Sequence, residues 1–128
     1  MKMRLLLILI VALSPFVASV AQAEVLVREF SGSRSTETAD FDVKAPWLID
    51  WIVNSEYPDS MGLAVALVKA PAGTHAGTVM KTKYPGNGLR LMTESGRFRF
   101  NVDAAVANWT LKVIQLTDEE AEQYTPKN

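Results

Sequence analysis

His75 is the first candidate for acid–base or metal chemistry, because the chain contains no other histidine. It lies within residues 72–77, a run of small residues that is typical of a flexible loop. A serine–histidine–aspartate triad needs an ordered histidine beside its nucleophile, and a zinc site needs several histidine or cysteine ligands. The chain has no cysteine. We therefore interpret His75 as a solvated loop residue rather than a catalytic or metal-binding one.

Carboxylates are the next candidates. Asp40 and Asp42 flank an aromatic residue, and Glu56 and Asp59 bracket a Tyr-Pro pair. Such groups can bind calcium at the rim of a β-sandwich, or form the acid–base pair of a glycosidase. No spacing matches a defined calcium loop and no pattern marks a cleft. We therefore expect no cofactor, no metal site and no enzymatic activity, with calcium binding as an open alternative.

The basic residues suggest a binding surface. Arg97 and Arg99 alternate with apolar residues, and Lys112 does the same in the next segment. If segments 97–103 and 109–116 pair through the short loop between them, all three side chains lie together on the outer face. We therefore predict that they bind a ligand such as an anionic glycan or an envelope protein. The alternative is an ordinary solvated face with cross-strand charge pairs.

Two tryptophans could serve as a platform for sugar rings. Trp47 and Trp51 are four residues apart, so on a strand they point to the same face about 13 Å from each other. That face also carries Ile49 and Val53, which a sugar platform does not need. We therefore favour the interpretation that both tryptophans belong to the core.

The elements that must position these residues are strands, because apolar residues recur with a period of two throughout the mature chain. Phe98, Phe100 and Val102, for example, alternate with polar residues. Glycine-containing turns separate the runs, as in residues 84–88 and 94–96. The expected strands are residues 25–31, 38–43, 46–53, 62–69, 77–82, 88–93, 97–103 and 109–116.

This pattern predicts an all-β fold, an antiparallel β-sandwich of jelly-roll type with about eight strands. The C-terminal part differs from the rest. Thr117 and Glu120 have the spacing of a capping box, and Pro126 ends the segment. We therefore expect a short helical turn after the last strand.

The N-terminus has the three parts of an export signal. Met1–Arg4 is basic, Leu5–Leu13 is an unbroken apolar run, and Ala21–Ala23 has the A-x-A pattern of a cleavage site. We expect residues 1–23 to be removed as a signal peptide. The alternative is an uncleaved membrane anchor, but Pro15 interrupts the apolar segment.

The mature chain, residues 24–128, is expected to be one β-sandwich domain in the periplasm or outside the cell. Removal of Lys2 and Arg4 leaves eleven basic and fourteen acidic residues, a net charge of −3. A mildly acidic chain has no general attraction for nucleic acid. With cleavage we expect no stable membrane anchor.

Two sequence blocks resemble a group of small secreted or lipid-anchored bacterial β-sandwich proteins of unassigned function. The first block is Phe30-x-Gly32-Ser33 followed by Thr38-x-x-Phe41-x-Val43-x-x-Pro46-Trp47-x-Ile49-x-Trp51. The second is Gly96-x-Phe98-x-Phe100-x-Val102 with Trp109-x-Leu111-x-Val113. The resemblance implies a fold and a location but no catalytic residues. Lipid anchoring does not carry over, because Glu24 stands where lipid-anchored members have a cysteine.

From these observations we expect an exported, non-enzymatic binding module of the periplasm or cell surface. Two alternatives come from other classes of protein. One is a small periplasmic inhibitor or immunity-type protein that blocks its target with a loop. The other is a structural component of an envelope assembly.

Overall fold

Residues 24–125, the part of the chain that the computed structural model describes, form two antiparallel sheets packed face to face. The expected signal peptide lies outside the described residues. The strands are β1 (Val25–Gly32), β2 (Thr36–Glu37), β3 (Phe41–Val43), β4 (Trp47–Asn54), β5 (Gly62–Lys69), β6 (Thr74–Thr82), β7 (Gly86–Met92), β8 (Gly96–Ala105) and β9 (Asn108–Gln115). A short 3-10 helix spans Pro58–Ser60, and the helix α1 spans Asp118–Glu122.

The strand order is that of a jelly roll, which confirms the predicted fold. Sheet A has the order β1-β9-β4-β7, and sheet B has the order β2-β8-β5-β6, with β3 also paired to β8. The pairs β1/β9, β2–β3/β8, β4/β7 and β5/β6 are therefore nested, like one long hairpin wound around the core.

The predicted strand 38–43 is divided into β2 and β3 by Thr38. The backbone N–H of Thr38 donates to the carbonyl oxygen of Phe100 at 2.9 Å. The N–H of Phe100 donates to Oγ1 of Thr38, also at 2.9 Å. The threonine side chain thus satisfies a buried ladder donor at the point where the strand is interrupted.

β8 and β9 do not pair with each other, so the condition for the arginine–lysine surface is not met. β8 pairs with β5 in sheet B, whereas β9 lies between β1 and β4 in sheet A. In the nested winding the chain crosses from one sheet to the other between these two strands. The short connection, Val106 and Ala107, is therefore a crossing between sheets and not a hairpin loop.

The core between the sheets centres on an aromatic cluster. Phe41 and Phe100 lie 5.1 Å apart by ring centroids, and Trp47 lies 5.7 Å from Phe98. Trp47 is fully buried, and its indole Nε1 donates to the carbonyl oxygen of Glu94 at 2.9 Å. Rings from both sheets thus contact one another, as the predicted inward faces require.

Two glycines leave room for tryptophan side chains along sheet A. Gly88 of β7 pairs with Trp51 of β4, and Gly32 of β1 pairs with Trp109 of β9. A Cβ atom on Gly88 would lie 2.6 Å from Cζ2 of Trp51, and one on Gly32 would lie 2.9 Å from Cζ2 of Trp109. Each indole therefore packs over the bare backbone of an edge strand.

Two arginines connect the sheets at opposite edges of the sandwich. Nη1 of Arg28, on β1, donates to the carbonyl oxygen of Asp40 at 3.3 Å. Nη1 of Arg90, on β7, donates to the carbonyl oxygen of Val79 at 3.1 Å. Val79 is the extra residue of a β-bulge, since Met80 and Thr78 pair with successive residues of β5. Arg90 thus binds to edge-strand backbone at an irregular point of the ladder.

The C-terminal turn confirms the predicted capping box. The side chain of Thr117 accepts from Glu120 N, and the Glu120 side chain accepts from Thr117 N. The tail covers an apolar part of the outer face of sheet A, where Ala121 packs near Leu48. The hydroxyl of Tyr124 donates to Glu24, and this bond, together with burial, raises the pKa of Tyr124 to about 12.

Within residues 24–125 no helix is long and apolar enough to span a membrane.

We expect Gly88→Ala to destabilise the fold by about 1–3 kcal/mol, because the new methyl group overlaps the indole of Trp51. Gly86→Ala is the matched control on the same strand, since a Cβ atom there would meet nothing within 4 Å. Its effect should stay within about 0.5 kcal/mol. Chemical denaturation of both variants measures the difference. Equal free energies of unfolding for the two variants would contradict the packing of Trp51 on Gly88.

Candidate ligand-binding groove

The predicted arginine–lysine surface does not form. Alternation places Arg97 and Arg99 on the outer face of sheet B, because Phe98 and Phe100 point inward. Lys112 lies between the inward-facing Leu111 and Val113, on the outer face of sheet A. The three side chains are therefore on opposite sides of the sandwich.

Arg99 is held in a network that joins three segments of the chain. Its Nε donates to Oδ1 of Asp40 at 2.9 Å, its Nη1 to Oε2 of Glu37 at 3.3 Å and its Nη2 to the carbonyl oxygen of Pro71 at 3.0 Å. The hydrogen bond to Asp40 raises the pKa of Arg99 above its ordinary value. The Arg99 side chain is only 19% exposed. These contacts favour a structural role for Arg99.

Arg97 and Lys112 face carboxylates as well. Nε of Arg97 lies 3.7 Å from Oδ2 of Asp40 and 4.0 Å from Oδ1 of Asp42, its direct partner on β3. Lys112 pairs in register with Glu29 on one side and Asp50 on the other. The arrangement matches the alternative of cross-strand charge pairing, in which a face carries charges of both signs.

Arg97 also borders an open depression of about 550 Å³. Lys44 and Gln115 line it, and the Gln115 side chain accepts from Lys44 N at 3.1 Å and donates to Lys44 O at 2.6 Å. Both the oxygen and the nitrogen of the Gln115 side chain are therefore already hydrogen-bonded to the backbone of Lys44. Two other polar residues that line the depression, Asp42 and Arg97, face each other in a long ion pair of 4.0 Å.

The other sequence candidates take structural positions. Trp47 and Trp51 both lie on the core side of β4, the first fully buried and the second half-buried over Gly88. His75 lies in strand β6 and not in a loop, because β6 begins at Thr74 and pairs with β5 from Lys69 onward. In residues 24–125 no group of three or more histidine, cysteine or acidic side chains could hold a metal ion.

A groove that was not predicted from the sequence runs along β5, on the outer face of sheet B. The inward residues of β5 are Leu63, Val65 and Leu67, all of them buried. The outward residues between them are small, Ala64 and Ala66, and Gly62 precedes them. Since β5 lies between β6 and β8, its small outward residues form the floor of a groove with longer side chains on each side.

The walls of the groove are polar. Ala64 pairs with Lys81 of β6 on one side and with Asp103 of β8 on the other. Ala66 pairs likewise with Thr78 and Asn101. Two adjoining cavities of about 190 and 270 Å³ lie here, and Ala64, Lys81 and Asp103 line both of them.

The groove is bounded at one end and open at the other. At the bounded end Val68 pairs with Arg99, whose side chain is fixed by the network around Asp40. At the other end Gly62 and Lys83 line the cavity. From Gly62 to Ala66 the floor is about 14 Å long, at about 3.4 Å per residue. The groove is therefore long enough for a short stretch of an extended polymer.

Another cavity, of about 160 Å³ and separate from the groove, lies at the end of the sandwich where the connections after β1, β4 and β8 meet. Tyr57 and Val106 line it and are 65% and 48% exposed. Val106 has a φ of 52°, which is unusual for a β-branched residue. The hydroxyl of Ser55 donates to the carbonyl oxygen of Val106 and holds this conformation.

We expect Arg99→Gln to lower the melting temperature clearly more than Arg97→Gln. Arg99 donates to three segments, whereas Arg97 is 58% exposed and makes only long ion pairs. Both variants remove one positive charge from the same strand, so the comparison separates the network from the net charge. Equal melting temperatures would contradict a structural role for Arg99.

The chain matches no protein-family model, and no curated protein matches it.

Proposed function

We propose that the protein is an exported, non-enzymatic binding module whose groove on the outer face of sheet B binds a hydroxyl-rich polymer, a glycan strand. The observation that carries the proposal is the floor of Gly62, Ala64 and Ala66 between two polar walls. A ligand can lie against this floor and reach hydrogen-bonding groups on both sides.

The chemistry of the walls suits a hydroxylated ligand. Thr78 offers a hydroxyl, Asn101 an amide, Asp103 a carboxylate and Lys81 an ammonium group. Sugar hydroxyls can donate to or accept from all four groups. Each net hydrogen bond contributes about 1 kcal/mol, and association itself costs several kcal/mol of translational and rotational freedom. We therefore expect weak binding to one segment and stronger retention on a polymer that presents many segments.

Export is the second part of the proposal, and the N-terminal sequence supports it. The basic start, the apolar run and the A-x-A pattern that ends at Ala23 are the parts of a secretory signal. A protein exported in this way meets the polysaccharides of the envelope, and these are ligands of the class that the groove fits.

Ala64→Gln should abolish polysaccharide binding, because the longer side chain rises from the floor of the groove between Lys81 and Asp103. Ser31→Gln, on the outer face of sheet A, is the matched control. Retardation in native gels that contain soluble polysaccharides measures binding, and thermal unfolding checks that both variants are folded. Equal retardation of the Ala64→Gln variant and the parent would contradict a site in the groove.

A second candidate function is an inhibitor that inserts a loop into its target, and Val106 is the observation that favours it. A left-handed backbone conformation costs a β-branched residue of the order of 1–3 kcal/mol. Half of the Val106 side chain is exposed, so burial in this fold offsets little of that cost. Tyr57 lies at the same cavity and is also exposed. An apolar contact with another protein would account for both side chains.

Val106→Asn tests this candidate, because asparagine tolerates the left-handed conformation. We expect the free energy of unfolding to stay unchanged or to rise by up to about 1 kcal/mol. If the candidate is right, the variant should also lose a stoichiometric protein partner that the parent and Ala64→Gln both capture from envelope extract. A lower melting temperature for Val106→Asn would show that the valine side chain serves the fold.

A further inference from the structure

The two walls of the groove carry opposite charges. Lys81 and Lys83 line the β6 side, and Asp103 lines the β8 side together with the amide of Asn101. The ion pairs within residues 24–125 at 4.0 Å or less involve Lys69, Arg97 and Arg99, and none of them uses Lys81 or Lys83. Within residues 24–125, no carboxylate oxygen therefore lies within 4.0 Å of the ammonium group of either lysine.

The two walls form no ion pair with each other in the described residues. Lys81 and Asp103 are the two register partners of Ala64, so their strands are two strand spacings, about 10 Å, apart. Asp103 accepts one hydrogen bond, from the hydroxyl of Ser35 at 3.3 Å. A carboxylate has about four acceptor positions, so Asp103 can accept further donors from the side of the groove.

We propose that the ligand of this groove is an acidic glycan of the uronic acid class, with its carboxylates against Lys81 and Lys83 and its hydroxyls donating to Asp103. The proposal rests on the proposed function of the same groove. A neutral glycan would leave the two lysines without a counter-charge. A densely sulfated polymer would place anions against Asp103. A polymer with one carboxylate and several hydroxyls on each ring satisfies both walls.

The cations proposed to contact the ligand are thus Lys81 and Lys83, and not Arg97, Arg99 and Lys112. Those cations face Glu37, Asp40 and Asp42, or the register partners Glu29 and Asp50. Charge-assisted hydrogen bonds are roughly twice as strong as neutral ones. We expect the acidic polymer to bind about tenfold more tightly than its neutral form at 0.1 M salt. This advantage should disappear near 1 M salt, where the Debye length falls from about 10 Å to about 3 Å.

The ligand probes are polygalacturonate and the same polymer with its carboxylates methyl-esterified, so that charge changes while the hydroxyls stay. The protein probes are the exported protein and two double variants. Lys81→Gln with Lys83→Gln removes two charges at the groove. Lys44→Gln with Lys112→Gln removes two positive charges outside the groove. This control variant therefore has the same net charge as the Lys81–Lys83 variant. Retardation in native gels across a salt series measures binding, and thermal unfolding confirms folding.

The expected result is tight binding of polygalacturonate by the parent and by the Lys44–Lys112 variant, with at least tenfold weaker binding by the Lys81–Lys83 variant and by the esterified polymer. Equal binding of the esterified polymer would overturn the acidic specificity while leaving the groove as a glycan site. Equal loss in both double variants, or equal binding of dextran sulfate, would reduce the interaction to a general polyanion effect and overturn it. If poly-glutamate bound as tightly as polygalacturonate, the ligand would be an extended acidic peptide, and this result would overturn the glycan proposal. No binding of any polymer would overturn the proposed function as well.

Discussion

The contact between the aromatic side chains of the two sheets is the interaction on which the rest of the structure depends. Phe98 of sheet B meets Trp47 of sheet A, and Phe100 of sheet B meets Phe30 of sheet A. Phe41 lies against Trp47, Phe98 and Phe100. Because side chains alternate along a strand, burying these rings fixes the face to which every other residue of β4 and β8 points. A shift by one residue would bring Arg97 and Arg99 into the core.

The same constraint produces the groove. Burial of Leu63, Val65 and Leu67 against the aromatic cluster turns Gly62, Ala64 and Ala66 outward. Small side chains on a central strand leave a channel only when both neighbouring strands carry longer ones. Lys81 and Asp103 meet that condition because β5 lies between β6 and β8. The proposed ligand site is therefore a consequence of core packing combined with strand order.

At the edges of the sandwich, residues that are distant in sequence pack against each other or form hydrogen bonds. Trp51 packs over Gly88 at one edge of sheet A, and Trp109 packs over Gly32 at the other. Arg28 and Arg90 donate across to carbonyl groups of sheet B. The two indoles fill the space over glycine backbone, and the two arginines bind carbonyl oxygens near the sheet edges. Arg28 and Arg90 occupy strand positions that look solvated in the sequence, but both side chains form hydrogen bonds within the fold.

The sequence by itself determined the approximate positions of most strands, the inward faces and the capping box at Thr117, but not the break at Thr38 or the strand at His75. These features are local, since they follow from a period of two and from the chemistry of a few adjacent residues. Which strands pair was decided by the tertiary structure alone, because alternation shows the face of a residue but not its neighbour. The two-residue connection at Val106 could have closed a hairpin, yet it crosses between the sheets. Asp40, 59 residues before Arg99 in the chain, therefore became its partner, and Lys81 and Asp103 came to face each other across Ala64.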